Sequence, residues 1–232
     1  MGLTYLTDEE IQVFFRVIQS PRDKLIFRLM LFQGLRVSEV VGETLDYWSK
    51  NGKRIKISLI PKGKTYEPNK NFKIGDDTYC HHQTVIEGMY WQDVDWNNGV
   101  FRVKGKGKKV RMNWLNDVVR NEMVHFALLM HPGKDIRFLV GKIFDIEPPQ
   151  VRVLCRQYAK EAGIQRPVHP HLFRHTFSTA FLKDGGDISE LKEILGHSSL
   201  MTTEKYLKKS PDEIIKKMQQ TGDNFTKRGW ID

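Results

Sequence analysis

The stretch HPHLFRHTF, residues 169–177, combines an apolar helical pattern with polar side chains on one face. On a helix that begins at Pro170, His171, Arg174 and His175 lie at positions i, i+3 and i+4, so their side chains are neighbours. Arginine presents a planar fork suited to phosphate oxygens, and histidine exchanges protons near neutral pH. Taken alone, the spacing fits an exposed polar face without a further role equally well.

Capping signals around this stretch predict a mainly α-helical chain with a small antiparallel β-sheet, an α+β fold. Thr7 and Glu10 form a capping box, and Asp187 and Glu190 form another ahead of Gly196. Apolar residues recur every three or four positions within the segments that such signals enclose. We expect helices over 6–19, from Ser20-Pro21 to Gly34, from Val37, and over 115–130, 149–162, 170–185, 187–196 and 210–220.

A strand-like region separates these helices. Ile55, Ile57 and Leu59 alternate with polar residues, and a turn signal that ends at Gly99 starts a β-hairpin over 99–112. The segment at the tip of this hairpin, residues 104–109, is rich in glycine and lysine. This composition is typical of a solvated tip or of a contact with a phosphate backbone. The cations that we expect to bind DNA there are Lys104, Lys108, Lys109 and Arg111, and Lys106 lies at the tip of the hairpin.

Composition narrows the class of protein. The 232 residues are 40% hydrophobic and carry a formal net charge of +9, which hints at a polyanionic partner. No apolar run reaches the length of about 18 residues that a membrane-spanning helix needs. The two cysteines, Cys80 and Cys155, are too few for a disulfide scaffold, so we expect buried or free thiols in a reducing compartment such as the cytoplasm.

A tyrosine in a polar segment requires an explanation. Tyr206 lies in LGHSSLMTTEKYLK, residues 195–208, on a helix that Ser199 is expected to cap, and His197 follows the Leu-Gly stop. A phenol is a poor nucleophile unless its proton is removed or its anion is stabilised. Arginines, a lysine and histidines would do both, and Arg36 in the turn GLRVSEV is a candidate that Glu39 would hold in place.

These motifs together resemble the tyrosine recombinase family, and their contexts are similar to its Xer-like branch. The resemblance covers residues 5–46 and 90–210. The motifs match in both order and local context, and they are Arg36 in GLRVSE, Lys106 in GKGKK, His171 and Arg174 in HLFR, His197 in LGH and Tyr206 in TTEKY.

The resemblance implies the chemistry of the site. Tyr206 would attack a phosphodiester of double-stranded DNA and form a 3′-phosphotyrosyl link, and no metal or other cofactor would be needed. Lys106 would protonate the leaving 5′-oxygen, and His171 would assist proton transfer at the tyrosine. Religation to another strand would give integration, excision or resolution within a homo-oligomer, a tetramer on two DNA sites.

The remaining positions of the motif imply a phosphate clamp. Arg36 and Arg174 would bind the non-bridging oxygens and His197 would hydrogen-bond the phosphate, with Glu39 and His175 in supporting positions. Two alternatives stay open: a DNA-binding protein of this fold without strand exchange, and an enzyme that only relaxes DNA, like a type IB topoisomerase.

Departures from the family pattern define the expected organisation. We expect one catalytic domain over 1–232 without the family's N-terminal core-binding domain, an insertion at about 44–88, and a final helix from 210 followed by a flexible tail to 232. Within the insertion, Cys80-His81-His82 favours an ordinary loop over a metal site, because the usual zinc-ligand spacing is missing. The insertion would contact DNA or a partner subunit.

Overall fold

Helices enclose the core in the computed structural model, which describes residues 5–56, 67–105, 109–196 and 211–230. None of the helices in these ranges is both long enough and apolar enough to cross a membrane. The helices are α1 (Asp8–Val17), α2 (Pro21–Phe32), α3 (Val37–Val41), α4 (Asp117–Met130), α5 (Pro148–Glu161), α6 (Pro170–Lys183), α7 (Ile188–Leu195) and α8 (Pro211–Lys227).

The strands of the described residues form two antiparallel sheets. The first has the order β2-β1-β4-β3 and the second the order β5-β6-β7. The strands are β1 (Glu43–Lys50), β2 (Lys53–Ile55), β3 (Asn71–Ile74), β4 (Asp77–Ile86), β5 (Val94–Asp95), β6 (Val100–Lys104) and β7 (Val110–Trp114). The predicted fold class, mainly α with a small antiparallel β component, is confirmed.

Local sequence signals account for most of these boundaries. The capping box of α1 is present, because the Thr7 hydroxyl accepts from the backbone N–H of Glu10 and the Glu10 carboxylate accepts from that of Thr7. The predicted hairpin over 99–112 is formed by β6 and β7. Of the alternating residues 55, 57 and 59, Ile55 lies in β2, whereas Ile57, Leu59 and the expected helix of Tyr206 lie outside the described residues.

An aromatic cluster fixes α6 against the first two helices. The rings of Phe14, Phe27 and Phe173 are fully buried, with centroids 5.0–5.3 Å apart. Burial of aromatic rings contributes strongly to the stability of such an interface. Gly34, between α2 and α3, has a φ of +61°, and a side chain there would lie 2.6 Å from the Phe177 ring. The turn between α2 and α3 therefore packs directly on α6.

The C-terminal region differs from the prediction. The last helix continues to Lys227 instead of ending near Gln220, and the expectation of a flexible tail is wrong for residues 225–230. Phe225 is fully buried against Phe32, and Trp230 is 3% exposed. Gly222 lets α8 approach the start of α4, because a side chain there would overlap the amide of Asn116.

Trp230 contributes to stability through this packing. Its indole Nε1 donates to the Asp8 carboxylate at 2.9 Å, and its ring stacks on Phe225. Replacing Trp230 with Phe should lower the free energy of unfolding by about 1–2 kcal/mol, because the hydrogen bond and part of the packing are lost. Urea denaturation would measure the change, with the exposed Lys227→Ala as the control. Equal free energies of unfolding for Trp230→Phe and Lys227→Ala would contradict the proposed contribution of Trp230 to stability.

The predicted insertion at 44–88 contains the first sheet. The ordinary loop expected at Cys80–His82 is wrong, because these residues lie within β4, paired with Tyr47–Ser49 of β1. The loop prediction failed because antiparallel pairing depends on a partner strand more than thirty residues away. Within the described ranges, no group of three or more metal-ligating side chains is assembled.

Candidate functional site

Arg36 is placed at the start of α3 by a local ion pair. It occupies the N-cap position of that helix, and its backbone N–H donates to Oε2 of Glu39 at 2.8 Å. Its guanidinium Nη1 also donates to Oε1 of the same carboxylate at 2.9 Å. Two contacts with a buried acid hold the Arg36 side chain at this turn, while 37% of that side chain remains exposed.

The carboxylate of Glu39 is the centre of the site. Arg111 of β7 binds it with both terminal nitrogens, at 2.8 and 3.1 Å, and Nη1 of Arg174 lies 3.6 Å away. Burial acts to raise the pKa of Glu39, but the hydrogen bonds and charge of Arg111, together with Arg36 and Arg174, outweigh burial and lower that pKa. Glu39 is therefore ionised at neutral pH although it is only 2% exposed.

The same arginines bind the C-terminal end of α7. The carbonyl of Ile194 accepts from Nε of Arg111 at 2.9 Å, and the carbonyl of Leu195 accepts from Nη2 of Arg174 at 2.8 Å. Cations are favourable there because the last carbonyls of a helix lack partners and carry its negative dipole end. The helix ends at Gly196, whose φ is +64°, and a side chain there would lie 2.9 Å from Nη1 of Arg111.

Arg174 lies deeper than its polar helix face predicts. It is 7% exposed, and its Nη1 donates to the carbonyl of Gly34 at 2.5 Å, so it joins the α2–α3 turn to α6. Burial, followed by the charge of Arg36, lowers the pKa of Arg174 to about 9. The guanidinium therefore remains protonated at neutral pH, and Arg174 is buried instead of lying on an exposed polar face of its helix.

The histidines of α6 lie at the exposed edge of this cluster. His171 and His175 are both exposed, one turn apart, and the His169 ring is 6.3 Å from the His171 ring. Partial desolvation of its imidazole lowers the pKa of His171, as do the charges of His169, His175 and Arg174. A neutral His171 at physiological pH is able to accept a proton.

The hairpin cations separate into different environments. Lys104 is bound by two carboxylates, Glu87 at 2.8 Å and Asp93 at 2.9 Å, and hydrogen bonding to these acids raises its pKa. This pairing disfavours the predicted contact of Lys104 with DNA. Lys109 is exposed, as a DNA contact requires. Lys106 and Lys108 lie outside the described residues.

Arg111 has a different position from the one that its lysine-rich neighbours predict. Its three guanidinium nitrogens contact Glu39 and the end of α7, so it lies inside the cluster instead of on the exposed side of the hairpin. The register of the hairpin strands indicates the buried side on which Arg111 lies, which the lysine-rich composition of the hairpin does not indicate. Arg111 is paired with the buried Val103, whereas Val110 and Met112 on either side are exposed.

This placement favours a positioning role for Arg111. Arg111→Lys keeps the charge but loses the bidentate contact with Glu39. For the activity that the resemblance implies, we therefore expect DNA cleavage at saturating DNA to slow about tenfold while DNA affinity is unchanged. Lys109→Ala is the matched control in the same hairpin, and it should weaken affinity without slowing saturated cleavage. A loss of affinity alone in Arg111→Lys would instead identify Arg111 as a DNA contact.

The arrangement as a whole is suited to an anion. Three guanidinium groups surround one carboxylate, so the cluster carries an excess of positive charge, and Arg36 is its most exposed member. Arginine forks match the oxygens of a phosphate group. The cluster also fixes Gly196, the residue immediately before the segment of His197 and Tyr206, which itself lies outside the described residues.

Comparison with known proteins gives independent evidence on the family of the chain. A family model described as the phage integrase family matches residues 85–213, more than half of the chain. A tyrosine recombinase of Pseudothermotoga lettingae is 27% identical over 205 residues, which cover 88% of this chain and 55% of the relative. The chain spans about half the length of the curated relatives it matches.

Solved structures share the fold. The crystal structure of XerA recombinase superposes with a TM-score of 0.53 at 25% identity, covering 94% of this chain and 64% of that chain. The integrase of the Tn1549 transposon, solved in complex with transposon right end DNA, superposes with a TM-score of 0.54 at 18% identity, covering 85% of this chain and 59% of that one.

Proposed function

The chain belongs to the phage integrase family, and we propose that it is a site-specific DNA recombinase acting through a 3′-phosphotyrosyl intermediate. The observation that carries this proposal is the cluster of Arg36, Arg111 and Arg174 around Glu39. A buried cluster with excess positive charge stabilises the charge that develops on a phosphodiester during substitution. The complex of the Tn1549 integrase with transposon right end DNA supports DNA as the substrate, which we propose to be double-stranded.

The proposed cleavage step exchanges one phosphate ester for another. The phenolic oxygen of Tyr206 attacks phosphorus and forms the new P–O bond, while the bond from phosphorus to the 5′-oxygen breaks. His171 accepts the phenolic proton, and Lys106 donates a proton to the 5′-oxygen, which leaves as a hydroxyl group. Because one ester bond replaces another, rejoining by the reverse reaction needs no ATP.

The proposed clamp holds the phosphate during this exchange. Arg36 and Arg174 bind the non-bridging oxygens, and His197 donates a hydrogen bond to the same group. The lowered pKa of His171 supports its part in proton transfer, because a neutral imidazole is required to accept the phenolic proton at physiological pH. Glu39 and Arg111 act through the clamp by positioning its guanidinium groups.

Strand exchange sets a requirement on assembly. Each rejoining event uses the 5′-hydroxyl of a different strand, so two duplexes must be cut within one complex. We extend the proposal to a homo-oligomer, a tetramer on two DNA sites, in which each copy of the chain supplies one Tyr206.

Covalent trapping tests the function. The chain would be incubated with nicked duplexes that lose a short 5′-hydroxyl fragment on cleavage, so that rejoining is prevented, and the products run on denaturing gels. We expect a slow DNA band that protease treatment removes. DNA binding without such a band on any duplex would favour a non-catalytic DNA-binding protein. In a companion assay on intact supercoiled plasmids, where rejoining is possible, relaxation without recombinant products would favour a DNA-relaxing enzyme.

A further inference from the structure

The first sheet, β1 to β4, has two faces of different chemical character. Side chains alternate between the faces of a strand, so the register assigns each residue to one of them. Tyr47 is paired with His82, Arg54 with Ser49 and Lys73 with Thr78, which places Tyr47, Arg54, Lys73 and His82 on one face. We call it the Tyr47 face and the opposite one the Trp48 face.

The charges on the Tyr47 face are not balanced. Arg54 and Lys73 are its exposed strand cations, and Glu43 is the acid that the register places there. Glu43 lies at the first position of β1, and its carboxylate is 3.3 Å from Arg152 of α5. The outer part of this face therefore has positive charge without a neighbouring acid among the described strand residues.

The Trp48 face is electrically balanced by comparison. Lys50 and Lys53 lie on it with Asp46 and Asp77. The Asp77 carboxylate is 2.6 Å from the Lys50 ammonium, and the Asp46 carboxylate is 2.9 Å from the His81 ring. The opposite face of the same sheet is thus neutral where the Tyr47 face is cationic.

A stack of side chains orders the cationic face. The guanidinium of Arg54 lies 5.2 Å from the centroid of the Tyr47 ring, which stacks on the His82 ring at 4.4 Å. Nε2 of His82 is 2.7 Å from the Ser49 hydroxyl. Arg54 is therefore supported on an aromatic surface and remains exposed, an arrangement that reduces the entropy lost when it binds an anion.

The base of this sheet lies beside the proposed active site. The carboxylate of Glu87, which follows β4, binds Lys104 at the end of β6. One residue further along the hairpin, a side chain at Gly105 would lie 3.9 Å from the Glu39 carboxylate. A DNA duplex bound at the arginine cluster would therefore lie close to the base of the sheet.

We propose that the Tyr47 face is a second DNA-binding surface, which contacts the phosphodiester backbone of the duplex outside the cleavage site. The inference rests on the proposed function, since it requires the chain to bind DNA at the arginine cluster. The sequence of the sheet region supports a polyanionic partner, because a single acid, Glu67, accompanies the basic residues of 50–73. These are Lys50, Lys53, Arg54, Lys56, Lys62, Lys64, Lys70 and Lys73.

Neighbouring residues on opposite faces allow a matched test. Arg54→Glu and Lys53→Glu make the same change in net charge at adjacent positions, on the Tyr47 face and the Trp48 face respectively. Lys73→Glu places the same change on β3 of the Tyr47 face without removing the aromatic stack. Affinity of the full chain for a long fluorescent duplex would be measured over a range of potassium chloride concentrations, and thermal melting would check that each variant is folded.

We expect Arg54→Glu and Lys73→Glu each to weaken binding about tenfold and to reduce the salt dependence of log affinity by about 1, the contribution of one phosphate contact. Lys53→Glu should change affinity much less. Equal affinities for all three variants and the wild type would overturn the inference, and a loss of self-association with DNA binding retained would instead assign the face to a partner subunit.

The covalent trapping assay separates this inference from the proposed function. The wild-type chain could form the phosphotyrosyl band while the Tyr47-face variants bind DNA with wild-type affinity. This result would overturn the second DNA-binding surface and leave the proposed function standing. Wild-type chain that neither binds the duplex nor forms the band would overturn both.

Discussion

Tyr206→Phe is expected to abolish covalent attachment to DNA while leaving DNA affinity within about twofold of wild type. Phenylalanine keeps the aromatic ring but lacks the oxygen that forms the bond to phosphorus, and no other group replaces a missing nucleophile. The expected fall in the rate of adduct formation is at least about a thousandfold, the scale seen when a nucleophile is removed. Time courses on the nicked duplex would measure it.

A second tyrosine controls for the loss of a hydroxyl in general. Tyr5 contacts Lys183 through its ring, with the ammonium 4.9 Å from the ring centroid. Tyr5→Phe should therefore form the covalent adduct at the wild-type rate. Persistence of the adduct in Tyr206→Phe would assign the nucleophile to another residue and contradict the proposed mechanism.

Glu39→Gln is expected to cause the largest loss of stability among the substitutions in the cluster. The amide has nearly the same shape as the carboxylate, but it leaves Arg36, Arg111 and Arg174 without their counter-charge. Removing one partner from a buried ion pair is strongly destabilising, so we expect the free energy of unfolding to fall by about 3 kcal/mol. Chemical denaturation at neutral pH would measure this change.

The substitution should also alter the pH dependence of stability. Because the carboxyl of Glu39 has a lower pKa in the folded chain than its ordinary value of 4.5, it contributes stability above that pH. This contribution is lost as the pH falls below 4.5 towards the lowered value. The difference in stability between wild type and Glu39→Gln should therefore shrink in acid, as urea titrations at several pH values would show.

An exposed glutamate is the control for this prediction. The side chain of Glu87 is 53% exposed and pairs with Lys104. Exposed pairs contribute little, so Glu87→Gln should change stability by less than about 1 kcal/mol. Similar effects of Glu39→Gln and Glu87→Gln would mean that the carboxylate at the centre of the arginine cluster does not hold it together.

Local signals made much of the fold predictable. The capping pair Asp187 and Glu190 and the left-handed Gly196 define α7 because each depends on residues within one turn of helix. Ser20 and Pro21 similarly define the start of α2. The segment around Cys80 has no such local signal, because its strand β4 depends on pairing with β1. The sequence therefore predicts a loop there where the structure has a strand.

The parts that failed depend on distant partners. Trp230 is buried because Phe32 and Asp8, far away in the sequence, complete its surroundings. The basic composition of the hairpin is visible in the sequence and groups Arg111 with its lysines. The contact of Arg111 with Glu39 depends instead on the register of β7 and the packing of α3, which the sequence does not show. Pattern reasoning identified Arg36 and Arg174 as candidates but could not show that one buried carboxylate joins them.

The most direct test of the account is to identify the residue that is linked to DNA. The trapped adduct would be digested with nuclease and protease, and the modified peptide would be sequenced by mass spectrometry. The account predicts a nucleotide joined through its 3′-phosphate to Tyr206, with a free 5′-hydroxyl on the released strand. Attachment to any other residue, or through a 5′-phosphate, would contradict it.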